Sequence, residues 1–287
     1  MLNIGLACEV TGNVTAFMQM FRIRELAMDL AQYLTGGRKT YGMIMIGGVR
    51  RDITDDERKK MLEIVNQIEQ QLRECWDAIM DAPNLVDRWK GVGILDRRVA
   101  RDFSPVGPNM RGSGFKRDSR YDHPFDWYKH VEFEVAVEEG CDVLSRETVR
   151  YRELLTSLSI IRQTLESLPP GPIMNEKAFV EPGAFALGND EAPRGENIHW
   201  VMHGNAQKVY RWRCRAATYN NWSSLRFQFR GNNVSDAALI VCSMDPCYSC
   251  TERITIVDVK KKKSKVVTLQ ELKRYSMTLK DSPLKDM

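Results

Sequence analysis

The spacing of apolar residues predicts three amphipathic helices in the N-terminal part of the chain. Between residues 17 and 33, apolar side chains recur at steps of three and four, and Gly36-Gly37 ends the pattern. A capping box, Thr54-Asp55-Asp56-Glu57, opens a longer charged helix that extends to about Ala82. A third helix is predicted from residue 143 or 145 to about residue 168, where a proline-rich run begins.

Beyond these helices the patterns are shorter and mixed. Residues 100–128 interleave glycine and proline with basic side chains, which is typical of an ordered surface loop. β-compatible runs follow at residues 180–187, 199–203 and 208–212, and a short helix is predicted at 235–243. No internal repeat or low-complexity linker divides the chain. The patterns therefore predict an α+β fold that is mainly α, with long helices and a small β element.

Composition excludes several classes of protein. With 287 residues, 43% of them hydrophobic, the chain is long enough to bury a sizeable core. It has no run of about 18 apolar residues, and its first residues lack the basic segment and apolar centre of a secretory signal, so we expect a cytoplasmic chain. The seven cysteines are irregularly spaced, unlike a secreted disulfide framework, and thiols in a reduced compartment are available for metal or redox chemistry.

Positive charge is concentrated at the C-terminal end. Residues 254–287 contain nine Lys/Arg and four Asp/Glu, a net charge of +5, whereas residues 1–253 have a net charge of −1. Lys260 to Lys263 and Lys265 could contact phosphates, but a solvated lysine run is the commoner interpretation. We therefore predict no nucleic-acid partner.

The most specific chemical motif is Asp245-Pro246-Cys247-Tyr248-Ser249-Cys250. Two thiols three positions apart can share one metal ion or bridge two. Structural zinc needs four ligands, and the chain has no second C-x-x-C, so a zinc site completed by Cys214, Cys242 or any of the four histidines would be irregular. A thioredoxin-like redox pair normally opens a helix after a strand, which an Asp-Pro before the first cysteine does not resemble. A zinc-binding structural module stays an alternative.

A second string lies upstream, Glu191-Ala192-Pro193-Arg194-Gly195-Glu196. Together with Asp-Pro-Cys-x-x-Cys-x-x-Arg, in this order, it resembles the large subunit of nickel-iron hydrogenases. Shorter strings are similar to the branch related to respiratory complex I, above all the formate hydrogenlyase or hydrogenase-4 type, and the resemblance runs from about Leu2 to Pro283. These strings are Gly107-Pro108-Asn109-Met110-Arg111-Gly112-Ser113-Gly114, Asp118-Ser119-Arg120, Gly140-Cys141-Asp142 and Tyr210-Arg211-Trp212-Arg213-Cys214-Arg215.

The resemblance implies roles for several residues. Cys247 corresponds to a terminal thiolate on nickel and Cys250 to a thiolate that bridges nickel and iron. Soft sulfur ligands suit the chemistry of these metals. The iron of this family also carries carbon monoxide and cyanide, and Thr218 is the expected hydrogen-bond donor to a cyanide. Arg194 corresponds to the guanidinium above the open metal position, with Pro193 and Asp245 beside it. A fixed cation there can polarise dihydrogen and steady a proton.

The resemblance also implies a processed C-terminus. In this branch the large subunit is made as a precursor, and an endopeptidase removes its extension after nickel-insertion factors have loaded the metal. Arg253-Ile254 fits the position of the cut, three residues beyond the last ligand. We therefore expect residues 1–253 to form the C-terminal portion of the hydrogenase large-subunit domain and residues 254–287 to be removed.

One departure from the family pattern is large. The family's first C-x-x-C has no counterpart in the chain, so we expect a fragment of a longer large subunit that interconverts protons and dihydrogen. The resemblance implies an iron-sulfur small subunit, membrane subunits related to complex I and a formate dehydrogenase as partners, on the cytoplasmic face of the inner membrane. The alternatives are a metal-free, complex I-like quinone oxidoreductase subunit and the zinc-binding module.

Overall fold

The computed structural model describes residues 1–251, 254–258 and 263–279. The chain forms two compact units, Met1–Pro246 and Cys247–Met287. Within the described residues, no helix is both long and apolar enough to cross a membrane.

Helices dominate the first unit, and the α+β, mainly α prediction is confirmed. In chain order they are α1 (Leu2–Val10), α2 (Val14–Thr35), α3 (Asp55–Met80), α4 (Pro83–Trp89), α5 (Arg97–Phe103), α6 (Pro108–Arg111), α7 (Ser119–Asp122), α8 (Val143–Ser167), α9 (Ala217–Gln228) and α10 (Ala237–Met244). The three predicted long helices correspond to α2, α3 and α8. Gly36 caps the end of α2 in the left-handed conformation, and Thr54 and Glu57 form the expected capping box at the start of α3.

The main core lies among α1, α2, α3, α4, α8 and α10. Helix α3 contributes an apolar stripe at helical spacing, with Val65, Ile68 and Leu72 essentially inaccessible to solvent. Its Trp76 stacks on Tyr151 of α8 with ring centroids 4.5 Å apart. This packing fixes α8, which carries several charged side chains of the candidate site.

Three antiparallel strands form the largest sheet, in the order β3-β4-β5. Two short strands, β1 (Ile44–Met45) and β2 (Gly48–Val49), precede it, and its own strands are β3 (Phe185–Ala192), β4 (Gly195–His203) and β5 (Val209–Arg215). Because Ala192 pairs with Gly195, Pro193 and Arg194 form a two-residue turn between β3 and β4. The turn presents the Arg194 side chain at one end of the sheet.

Two sequence-based expectations were wrong or incomplete. Residues 100–128 are not a surface loop, since they include three short helices and bury Asn109, Arg111 and Asp118. Glycine and proline did mark breaks between elements, but Arg111 is buried because the carboxylates of Asp118, Glu153 and Glu191 surround it. Helices α1 and α9 lack an amphipathic pattern because α1 is apolar and mostly buried, whereas α9 buries polar side chains such as Asn221 and Ser224.

The second unit contains a β-hairpin and a helix. Its elements are a 3₁₀ turn at Ser249–Thr251, strands β6 (Ile254–Asp258) and β7 (Lys263–Val267), and helix α11 (Leu269–Leu279). Strands β6 and β7 pair antiparallel. Arg253, the predicted residue before the maturation cut, lies outside the described residues, whereas Ile254 begins β6.

Candidate active site

A cavity of about 370 Å³ opens in the first unit beside the β3–β4 turn. Its walls come from α1, α2, α8, the α6–α7 region, the turn itself and the residue that follows α10. Charged side chains dominate, and those used below are Arg111, Arg150, Glu153, Glu191, Arg194 and Asp245. The sequence-predicted Pro193, Arg194 and Asp245 therefore line one cavity.

Arg194 and Asp245 contact each other directly. Arg194 Nε donates to the main-chain oxygen of Asp245 at 2.8 Å, and one Nη lies 3.0 Å from Asp245 Oδ1. A guanidinium held at two points cannot rotate freely, so its charge has a defined direction at the cavity wall. The structure thus brings together two residues that are 51 positions apart in the sequence.

The β3–β4 turn is seated on a second turn at Val106-Gly107. Gly107 and Gly195 both have positive φ, and a Cβ on Gly107 would lie 2.4 Å from the main-chain oxygen of Arg194. Asn221 of α9 links the two segments, because its Nδ2 donates to the Arg194 carbonyl at 3.3 Å and its Oδ1 accepts from Val106 N at 2.8 Å. These contacts fix the backbone of Arg194.

The partner residue, Asp245, caps α10 in the left-handed conformation, with φ 55° and ψ 59°. Aspartate tolerates this region better than most residues, and the following Pro246 cannot continue the helix. The main-chain N–H of Asp245 donates to Cys242 O at 2.8 Å. The chain therefore turns sharply out of α10 immediately before the Cys247-x-x-Cys250 motif.

Side chains from different elements bind the last carbonyls of α10. Asn3 Nδ2 donates to Cys242 O at 2.7 Å, Arg150 donates to Ser243 O at 2.7 Å, and Asn109 Nδ2 donates to Met244 O at 3.3 Å. With Arg194 on Asp245 O, four consecutive carbonyls each accept a hydrogen bond from a side chain. These bonds satisfy the end of the helix and hold the residues that precede the cysteine motif.

Arg111 is the centre of a buried charge network that sequence reasoning missed. It is 1% exposed and bonds to Glu153 of α8, to Glu191 of β3 at 2.8 Å, and to the Arg117 carbonyl at 2.6 Å. Burial alone would lower the pKa of Arg111, but the surrounding carboxylates raise it. Burial also raises the pKa of Glu153, although Arg111 partly offsets this. The only sequence signal was a run of charged residues close to glycines.

The two motif cysteines lie in the second unit. Cys247 is half-buried and Cys250 is exposed, and Cys247 Sγ lies 3.4 Å from Ser249 Oγ. Across residues 1–251, 254–258 and 263–279, no group of three or more His, Cys, Asp or Glu side chains is arranged to hold a metal ion. The described residues therefore do not fit a complete four-thiolate centre, and the motif supplies at most two of its ligands.

Other cysteines are poor candidates for the missing ligands. Burial, followed by the nearby Glu147, raises the pKa of both Cys8 and Cys242 to about 12, and burial also raises the pKa of Cys75 and Cys141. A thiol must lose its proton to bind metal, so these side chains are better suited to packing.

Thr218, the expected partner of a cyanide ligand, is almost fully buried near the start of α9. It is not among the residues that line the cavity in the described part of the chain. Its helix nevertheless contributes Asn221, one turn later, to the support of the Arg194 turn. The role of Thr218 stays a prediction.

Comparisons with known proteins give a consistent result. The family model of the respiratory-chain NADH dehydrogenase 49 Kd subunit matches residues 11–185 and 178–253. The chain is 54% identical over 285 residues to formate hydrogenlyase subunit 5 of Escherichia coli (strain K12), covering 99% of this chain and 50% of the relative. It is 46% identical over 285 residues to hydrogenase-4 component G of the same strain, covering 99% and 48%. The carbon monoxide-induced hydrogenase of Rhodospirillum rubrum is 36% identical over 254 residues, covering 88% and 70%.

The chain spans about half the length of the two Escherichia coli relatives. Their names confirm the predicted resemblance to the formate hydrogenlyase and hydrogenase-4 branch, and the family model confirms the relationship to complex I. On these matches, the chain belongs to the family of the respiratory-chain NADH dehydrogenase 49 Kd subunit.

Proposed function

We propose that the chain is part of the large, catalytic subunit of a nickel-iron hydrogenase that interconverts protons and dihydrogen within a formate hydrogenlyase-type membrane complex. The observation that supports this most directly is the Arg194–Asp245 pair at a cavity wall, because Asp245 is the first residue of the Asp-Pro-Cys-x-x-Cys motif. High identity to formate hydrogenlyase subunit 5 over nearly the whole chain supports the same assignment.

The residues of the chain would contribute positioning and charge. Asp245 orients the Arg194 guanidinium, whose positive charge can polarise dihydrogen and steady a proton at the cavity. Cys247 and Cys250 would hold one side of a nickel-iron centre with carbon monoxide and cyanide on the iron, which supplies the redox chemistry. Further thiolates would have to come from outside the described residues.

Partners follow from the same proposal. Iron-sulfur clusters would lie on a small subunit, and membrane subunits related to complex I would hold the complex at the cytoplasmic face of the inner membrane. A formate dehydrogenase would supply electrons.

A nickel-insertion system and an endopeptidase that cuts at Arg253-Ile254 would complete maturation. The intact mass of active protein should therefore show that residues 254–287 are absent. A retained extension would contradict this step.

A second candidate is a metal-free, quinone-binding subunit, favoured by the match to the NADH dehydrogenase 49 Kd subunit family. Elemental analysis of the purified, assembled complex separates the candidates. Nickel together with iron supports the hydrogenase, absence of both supports the quinone-binding subunit, and zinc alone supports a structural module.

Cys247→Ser and Cys250→Ser should each abolish nickel binding and hydrogen evolution. Cys214→Ser, at an exposed thiol of β5, is the matched control and should leave both unchanged.

A further inference from the structure

Glu147 is a buried carboxyl that the proposed mechanism does not yet use. It lies in the first turns of α8 with no solvent exposure, and Arg150 donates to its Oε1 at 3.1 Å. Its Oε2 has no hydrogen-bond partner among the described residues. Arg150 reaches both this carboxyl and the α10 carbonyl of Ser243, and it lines the cavity. Glu147 is thus separated from the cavity by one side chain.

Three other buried polar atoms near the end of α10 also lack a partner in the described part of the chain. They are Asn3 Oδ1, Asn109 Oδ1 and Arg150 Nε. The other polar ends of these side chains bind the consecutive carbonyls of residues 242 to 244, so the unpartnered atoms lie in one neighbourhood. Buried polar groups of this kind are usually satisfied by ordered water. The neighbourhood is therefore suited to a short hydrated path.

Charged and titratable groups from α8, α10 and the start of the chain act on Glu147. Burial raises the pKa of Glu147 to about 7, and the positive charges of Arg150 and Arg146 partly offset this effect. A carboxyl that titrates near neutral pH can both accept and donate a proton under working conditions. The groups that face it are Arg146 and Arg150 on α8, Cys242 and Asp245 at the end of α10, Cys8 on α1, and the amino group of Met1, which precedes α1.

We propose that Glu147 is a proton relay for the cavity lined by Arg194 and Asp245. The inference rests on the proposed hydrogenase function, since it assigns a proton route to that reaction. In one direction the carboxylate takes up a proton released at the cavity; in the other the carboxylic acid returns it. Only a proton moves, and Arg150 contacts both Glu147 and the cavity. Arg150 stabilises the carboxylate that remains.

The test compares variants in the assembled complex. Glu147→Gln keeps the shape of the side chain but cannot carry the proton, so conversion of D₂ in H₂O to HD and H₂ should slow about 100-fold. Nickel and iron content should stay at the wild-type level. Glu147→Asp keeps a carboxyl and should recover part of the rate. Glu166→Gln, at an exposed position on the same helix, is the control and should match the wild type.

A second readout is independent of turnover. Infrared spectra of the wild type should contain the carbonyl-stretch band of a protonated carboxylic acid that disappears as pH rises through about 7. Glu147→Gln should lack this band, and Glu147→Asp should shift it, which keeps the test open if the glutamine variant does not fold. Wild-type exchange in Glu147→Gln, or persistence of the band there, would overturn the relay.

The two proposals can fail separately. If the assembled wild-type complex contains nickel and iron and exchanges D₂, but Glu147→Gln does so at the same rate, only the relay is wrong. If the wild-type complex contains neither metal and performs no exchange, the hydrogenase proposal is wrong and the relay falls with it. In that case the infrared titration still reports whether Glu147 binds a proton near neutral pH.

Discussion

At the residue scale, the direction of the Arg194 side chain depends on two contacts with Asp245. One uses Nε and the main-chain oxygen, and the other joins an Nη to Oδ1 at 3.0 Å. A lysine has a single terminal nitrogen and cannot reproduce this planar, two-point geometry. The positive charge would remain in Arg194→Lys, but its orientation would be lost.

We therefore expect Arg194→Lys to lower hydrogen evolution by the assembled complex about 100-fold, the scale of losing one preorganised electrostatic group. The free energy of unfolding should fall by only about 1 kcal/mol, because the pair is partly exposed and solvent screens it. Arg213→Lys, at an exposed position of β5, is the control. Activity of Arg194→Lys equal to that of the control would contradict a directional role.

Residue-scale features differ in how well the sequence predicts them. The proximity of Arg194 and Asp245 was predictable, because each lies in a sequence motif and the two motifs in this order resemble a single protein family. The burial of Arg111 was not predictable, because its partners Glu153 and Glu191 lie 42 and 80 positions away. Charge compensation at that range leaves no periodic trace. The role of Asn221 was not predictable either. Its helix, α9, buries polar side chains and therefore has no amphipathic pattern.

At the element scale, the position of Arg194 depends on how closely two turns approach. Gly107 has φ +70°, and a Cβ there would lie 2.4 Å from the Arg194 carbonyl oxygen, an atom of the backbone that cannot move aside alone. The β3–β4 turn would have to shift, and with it the contact to Asp245. Strand pairing sets the turn type, but this contact sets where the turn lies.

Gly107→Ala should lower the free energy of unfolding by about 2 kcal/mol or more, since strain at positive φ adds to the steric conflict. Chemical denaturation of the purified chain measures this loss. Gly188→Ala is the matched control, because a Cβ there meets no atom within 4 Å. Equal stability of the two variants would show that the turns do not constrain each other.

At the scale of the whole first unit, Arg111 connects segments that are far apart in sequence. It joins α6 to α8 through Glu153 and to β3 through Glu191, and the Glu191 carboxylate also accepts from Ser119 N and Oγ at 3.0 Å each. Removing the arginine would leave buried carboxylates without compensation. This cost exceeds that of losing one hydrogen bond.

Arg111→Met, which keeps the volume but not the charge, should therefore lower the free energy of unfolding by about 3–5 kcal/mol. Arg117→Met is a suitable control, because Arg117 is exposed and contributes only its main-chain oxygen to the network. Urea denaturation of both variants gives the comparison. A loss below that of a surface substitution would mean that the network adds no net stability.

The pH dependence of stability reports on the buried carboxyls of the same unit. The pKa of Glu147 rises from 4.5 to about 7 on folding, so between these values the folded chain keeps a proton that the unfolded chain releases. Protonation of Glu147 in the folded chain contributes about 3 kcal/mol to the free energy of unfolding. This contribution is fully present below pH 4.5 and is lost as the pH rises through 7. Glu147→Gln cannot titrate. Its free energy of unfolding, relative to that of the wild type, should therefore be higher at pH 8 than at pH 5. Parallel stability curves for wild type and variant would show that Glu147 is ionised throughout this range.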